Sequence, residues 1–408
     1  MLRNSQIERS FFFFWGKHNM NIQRLKLGLL AAASSVALLL SACGGGSDAG
    51  PRAQISRVVV AGDSLADAGT FGLHFTVQKA ADPAAGYPIF PQLVAQDYGI
   101  NSHCNFFVSD GTTFAPNATA GCTNFAIGGG RIVTGAAQGG PGSVLAVPVQ
   151  LATAVNAEGG AWTGTDLILV DGGGNDAADL VKAYLGAASG PAGVTAYQTF
   201  LAQQLDAATI GATLQQPNGA ALAAGLYMQT LADTYYGAIK TNALDKGATH
   251  VAVLNIPDIT LTPNFAAVLA QVAQANGGGT AGATAAATLQ GAIQQWVSAF
   301  NTELRTRIGG DARVALVDFY ADITDDVANP AAYGLTNATQ PACQATNVDP
   351  NDTFAACTDA ALDAAPPAGA AAGWWKTWLF SDGFHPTPYG HHLLAASVSR
   401  ALARAGWL

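Results

Sequence analysis

Four short apolar runs punctuate the chain at wide intervals: Val58-Val59-Val60, Leu167-Ile168-Leu169-Val170, Val251 to Ile256 and Val314 to Phe319. None alternates with polar residues, as expected of strands buried on both faces. The first three stop at Gly62, at Asp171-Gly172-Gly173-Gly174 and at Pro257, residues that turn or end a strand. Between the runs, apolar positions recur near helical spacing. They predict a helix from Ile89 to Tyr98, largely helical structure over 194–246 around Pro217-Asn218-Gly219, another over 264–308 broken at Asn276-Gly277-Gly278-Gly279, and a last helix from His391 to Arg404. Residues 100–125 read as a loop, and residues 321–373 as mostly irregular. Short buried strands alternating with long helices predict an α/β fold, a three-layer α/β/α sandwich with a central parallel sheet. No repeat and no break in composition divides residues 55–408, so one domain is expected there.

The N-terminal pattern is different. Arg24 and Lys26 precede a 14-residue apolar run, Leu27 to Leu40. A bilayer-spanning helix needs about 20 residues, whereas a run of this length suits the core of an export signal. Its end, Leu40-Ser41-Ala42-Cys43, resembles a bacterial lipoprotein signal, cut before a cysteine whose thiol is acylated. Gly44-Gly45-Gly46-Ser47 follows as a flexible tether. The expected organisation is a signal over 1–42, with Met20 as the true start, a lipidated linker over 43–54, and the α/β domain from 55. The expected location is the bacterial cell envelope, as a lipoprotein, or outside the cell.

Composition narrows the function. The 408 residues carry 18 Lys+Arg against 27 Asp+Glu, a net charge of −9, with charged residues only 11% and hydrophobic residues 50%. Disordered chains have the opposite balance. No basic stripe exists to neutralise phosphates, so nucleic acid is excluded as a partner. Beyond Cys43 there are Cys104, Cys122, Cys343 and Cys357, with no CxxC and no zinc-type spacing. In an oxidising compartment the most economical of the three pairings is local, Cys104–Cys122 and Cys343–Cys357, each contributing about 3 kcal/mol in the chain-entropy model.

Candidate chemistry sits at the strand ends. Gly62-Asp63-Ser64-Leu65 follows the first strand, where open α/β sheets bind ligands. Asp382-Gly383-Phe384-His385 joins an imidazole, suited to accept a hydroxyl proton near neutral pH, to a carboxylate that can orient it. Gly173-Gly174-Asn175-Asp176 follows the second strand and offers a side-chain donor for an oxyanion. Asn124 to Gly130 offers backbone donors in the same way. Read singly, each block has a plainer meaning as a turn or cap.

Together and in this order, the blocks resemble the SGNH/GDSL hydrolase family over about residues 57–398. Asp67 and Gly69, Asn255-Ile256-Pro257 with Thr262-Pro263, and Asn329-Pro330-Ala331-Ala332-Tyr333-Gly334 followed by Cys343 extend the resemblance. It implies Ser64 as nucleophile, His385 as base and then acid, and Asp382 as its orienting carboxylate. The implied oxyanion donors are the N–H of Ser64, the N–H of Gly128 and the Asn175 side chain. The implied reaction is ester hydrolysis through an acyl-enzyme, with no cofactor and no metal, in a monomer. Lipid or other acyl esters are the expected substrates, with carbohydrate O-acyl ester hydrolysis, acyl transfer and a non-catalytic surface lipoprotein as alternatives. The absence of GxSxG, and the three-residue spacing of Asp and His, set the chain apart from α/β-hydrolases. A GxGxxG match at Gly277, Gly279 and Gly282 follows a helical stretch rather than a strand, so it does not signal a dinucleotide. Trp374, Trp375 and Trp378 are expected to pack under the Asp382–His385 loop, with lining of an acyl or aromatic pocket as the alternative. Residues 276–288 are expected to form a surface loop, with a lid margin as the alternative.

Overall fold

The computed structural model describes residues 53–408 except residue 352. The expected signal, Cys43 and the linker up to residue 52 lie outside the described residues.

Strands β1 (Arg57–Ala61), β2 (Asp166–Val170), β3 (His250–Leu254) and β4 (Val314–Val317) pair in that order, all parallel. Val60 lies opposite Leu169, Ile168 opposite Val251, and Val253 opposite Leu316. Because side chains alternate along a strand, each apolar run feeds two cores. Val59, Ile168, Val170, Val251 and Val253 pack with helices Val147–Ala157, Gly219–Asn242 and Gly279–Ile308 on one face. Val58, Val60, Leu167, Leu169, Ala252 and Leu254 pack with helices Phe90–Asp97 and Pro388–Arg404 on the other. This is the expected three-layer α/β/α sandwich.

Thr262 and Thr387 cap the two helices that border the site, accepting the N–H groups of Phe265 and Gly390. Each is followed by a proline, whose missing N–H is harmless in a first helical turn.

Several expectations need correction. The fourth run ends as a strand at Val317, because the Asp318 carboxylate caps a new helix, Phe319–Ala328, through the N–H of Ala321. Residues 321–373 are therefore only about half irregular. They also hold helix Asp359–Ala364 and a strand, Asn337–Pro341, that pairs in parallel with Trp378–Phe380. The loop over 100–125 contains a hairpin, Phe107–Ser109 against Phe114–Pro116. Residues 279–288 begin the helix Gly279–Ile308 instead of forming a surface loop. Gly282 lies so close to helix Pro263–Ala275 that a Cβ there would come within 2.2 Å of the Ala273 carbonyl oxygen. The GxGxxG match thus serves a helix hairpin.

The cysteines pair locally, Cys104 with Cys122 and Cys343 with Cys357, at Cα separations of 4.8 and 5.4 Å. Trp374, Trp375 and Trp378 are buried around the second pair with Val77 and Leu362, in keeping with a packing role.

Candidate active site

The site is built at the carboxyl ends of β1 and β2. After β1 the chain turns at Gly62, whose N–H donates to the Gln150 side-chain oxygen at 2.7 Å. Asp63 closes the turn, its Oδ1 accepting the Leu65 N–H at 3.0 Å. Ser64 sits on this turn, 8% exposed. Asp382-Gly383-Phe384-His385 approaches from the other end of the chain. That loop leaves Trp378–Phe380 and is pinched shut by the N–H of Ser381 donating to His385 O, at 2.8 Å, and by the N–H of Thr387 donating to Leu379 O, at 2.9 Å. The cap on helix Pro388–Arg404 thus fixes where the imidazole emerges.

The three side chains meet. His385 Nε2 lies 2.7 Å from Ser64 Oγ, and His385 Nδ1 lies 2.7 Å from Asp382 Oδ2. Asp382 Oδ1 accepts the N–H groups of Phe384 and His385. Burial opposes charge on Asp382, but the adjoining imidazole and these two N–H groups outweigh it and hold the carboxyl below its usual range. With Asp382 ionised, Nδ1 carries the hydrogen and Nε2 faces Ser64 as acceptor.

Asn175 begins the helix Gly174–Gly186. Its Nδ2 donates to Gly130 O at 2.9 Å and lies 3.5 Å from Asp63 Oδ2. One of its two hydrogens is therefore committed, and the other is only loosely held. Asp176 of the same block points away, its two oxygens accepting the N–H groups of Ile132 and Val133 at 2.9 and 3.0 Å.

Gly128 departs from expectation. Its N–H donates to Asp67 Oδ2 at 2.7 Å, while Asp67 Oδ1 takes the N–H groups of Gly69 and Thr70. Among the described residues the Gly129 N–H has no hydrogen-bond partner, and Gly129 rather than Gly128 lines the cleft with Ser64.

The cleft has a volume of about 290 Å³. Ser64, Asn175 and His385 form its polar side, and Leu65, Phe75, Pro257, Ile259 and Phe384 its apolar side. Asn255, from the segment that extends the family resemblance, bridges the strand ends by donating to Asp318 at 2.7 Å and accepting the Tyr320 N–H at 2.9 Å. Asn329 to Gly334 supports the terminal helix, Tyr333 O accepting the Tyr389 hydroxyl at 2.7 Å.

Two aromatic residues that no motif singles out complete the site. The Phe75 ring stacks on His385 at 5.3 Å, and the Phe354 ring meets it edge-on at 5.2 Å. Phe354 belongs to the loop closed by Cys343–Cys357 and has a positive φ of 59°. Among the described residues no cluster of His, Cys, Asp and Glu is arranged to hold a metal ion.

A family model for the GDSL-like lipase/acylhydrolase matches residues 58–398. Among solved structures, an extracellular lipase from Streptomyces rimosus matches with 16% identity, over 85% of this chain and 99% of that one, at a TM-score of 0.36. No curated protein matches the chain. With the family model spanning nearly the whole α/β domain, the chain belongs to the GDSL-like lipase/acylhydrolase family, and with it to the ester hydrolases.

Proposed function

We propose that the protein is an exported serine hydrolase that cleaves acyl esters, lipid esters foremost, through an acyl-enzyme. The observation that carries this reading is the unbroken hydrogen-bond chain from Asp382 through His385 to Ser64, opening on a half-apolar cleft. His385 Nε2 takes the Ser64 proton as Oγ attacks the ester carbonyl. The imidazolium so formed is stabilised by Asp382. The developing oxyanion accepts the Ser64 N–H, the Gly129 N–H and the second hydrogen of Asn175 Nδ2, Gly129 taking the place first expected of Gly128. Collapse breaks the ester C–O bond, His385 returns its proton to the leaving alkoxide, and the alcohol departs. Water then repeats the sequence on the acyl-enzyme and frees Ser64.

The wall of Leu65, Phe75, Pro257, Ile259 and Phe384 offers apolar surface but no charge, which suits a hydrocarbon acyl group better than a sugar. Export rests on the run Leu27 to Leu40 and on the two disulfides, since such bonds persist in oxidising compartments. Membrane attachment rests on Cys43 at the end of that run. Mass spectrometry of the mature protein should find Cys43 as an acylated first residue; an unmodified Cys43 overturns the anchor.

The deciding experiment is hydrolysis of p-nitrophenyl esters from acetate to palmitate, and of phospholipid vesicles, by wild type and by Ser64→Ala. Activity should be lost in the folded variant. Near-wild-type turnover would end the mechanism and leave a binding protein on the same fold.

A further inference from the structure

Beneath the nucleophile turn lie two carboxyls that the mechanism above does not use. Asp63 follows β1 and Asp171 follows β2, both buried, and among the described residues neither has an ion-pair partner. They meet across Gly62. A Cβ at Gly62 would come within 1.4 Å of Asp171 Oδ1 and 3.2 Å of Oδ2, so the carboxyl occupies the space that any other residue would need. Neither oxygen of Asp171 has a hydrogen-bond partner of good geometry, and the charged group that faces it is Asp63.

The surroundings are short of positive charge. Gln150 spends its oxygen on the Gly62 N–H and leaves its amide hydrogens unpartnered, and the buried Tyr235 hydroxyl is also unpartnered. Arg131 and His385 act on Asp63 only through space, while Asp171 feels Asp63 itself. Two adjoining buried carboxylates with no cation paired to either resist double ionisation, so the pair keeps one proton. Asp63 already accepts the Leu65 N–H and faces Asn175 Nδ2, contacts that favour its charged form. The backbone N–H groups of Asp63 and Asp171 act on the Asp171 carboxyl as well, but burial and the charge of Asp63 outweigh them.

We propose that Asp171 is a protonated positioning residue whose O–H donates to the Asp63 carboxylate, and that this acid–carboxylate pair holds the Ser64 turn and the Asn175 amide in place for catalysis. Burial raises both carboxyls, and the charge of Asp63 raises Asp171 further. In this proposal the pair keeps its proton at neutral pH and gives it up as the solution turns alkaline. When it leaves, the two carboxylates repel and Asp63 withdraws from Asn175. An alkaline fall in kcat follows that His385 cannot cause, because a neutral imidazole is the competent base.

The first test needs no substrate. An infrared difference spectrum of wild type against Asp171→Asn at neutral pH should show the carbonyl stretch of a protonated carboxyl, moved by deuterium exchange. Its absence overturns the proposal. The second rests on the ester-hydrolase reading. Asp171→Asn keeps a donor towards Asp63, so its neutral-pH kcat should stay within about threefold of wild type while the alkaline fall disappears. Asp171→Leu removes the donor and should lower kcat by at least about tenfold with KM little changed. An unaltered alkaline fall in Asp171→Asn, or equal losses in the two variants, refutes the positioning role. If Asp171→Leu does not fold, Asp171→Asn alone decides. A carboxyl band in a protein that hydrolyses no ester would sink the ester reading and leave the proton assignment standing.

Discussion

Replacing Phe354 by alanine and by glycine separates what its ring contributes from what its backbone opposes. The φ of 59° lies in the left-handed region, which disfavours a residue bearing a Cβ by about 1–2 kcal/mol. The conformation is held from both sides. Asp349 Oδ2 accepts the Phe354 N–H at 2.7 Å, and the Cys357 N–H donates to Phe354 O at 3.0 Å. The residue is 6% exposed, and losing a buried phenyl costs about 3–5 kcal/mol. Alanine loses the ring and keeps the backbone penalty. Glycine sheds the penalty but gives back about 0.5–1 kcal/mol through its freer unfolded chain. Phe354→Gly should therefore be more stable than Phe354→Ala by about 0.5–1 kcal/mol, the reverse of the order at ordinary positions. Urea denaturation at matched m-values reads the difference. A more stable alanine variant would refute the claim that Phe354 is held against its backbone preference. Both variants should lose kcat alike, because the ring and not the backbone meets His385.

Asn175→Ala should lower kcat by about 100-fold or more, about 3 kcal/mol of transition-state stabilisation; a rise in KM alone would assign Asn175 to ground-state binding. Replacing both Cys343 and Cys357 by Ser should lower stability by about 3 kcal/mol in the chain-entropy model and also reduce kcat, because that loop carries Phe354. Replacing Cys104 and Cys122 should lower stability to a similar extent with the smaller effect on kcat; equal losses of kcat would count against the Phe354 contact. Burial pushes His103 down to about 4 and His391 down to about 3. Both are neutral in the fold yet take up protons below about pH 6.5 once unfolded, so their contribution is complete above that pH and is lost as pH falls through the folded values. His103→Gln keeps a donor for Val58 O, which His103 Nε2 contacts at 3.2 Å, and should reduce the slope of stability against pH in this window by about one proton.

The four strands were legible because a strand covered on both faces has no polar face to confuse its pattern. Their ends were less so: Asp318 ends the fourth run by capping a helix, a choice its apolar neighbours do not reveal. The helix Val147–Ala157 was not foreseen, for its cap position is Ala146 and only Pro148 marks its start. Ser64, Asp382 and His385 could be proposed because their blocks, taken in order, resemble those of the GDSL hydrolases, although each block alone reads as a turn or cap. The choice between Gly128 and Gly129 could not, because it turns on which N–H Asp67 captures. Phe75, Phe354 and Asp171 carry no motif. Their places depend on how loops far apart in the chain come together, which periodicity does not record.

Ser64 and His385 are 321 residues apart in the chain, and only contacts between its early and late parts bring them together. Thr76 Oγ donates to Pro386 O at 2.8 Å, the Phe90 N–H donates to His391 Nδ1 at 3.3 Å, and the Tyr98 hydroxyl donates to Trp407 O at 3.1 Å. Synthesis proceeds from the N-terminus, so the nucleophile emerges early and waits for its base. A nascent or truncated chain ending before residue 385 has a serine but no means of activating it. The order of the elements works as a built-in latency: an enzyme proposed to act on acyl esters, and to be carried past membranes made of them, stays inert until it is nearly whole.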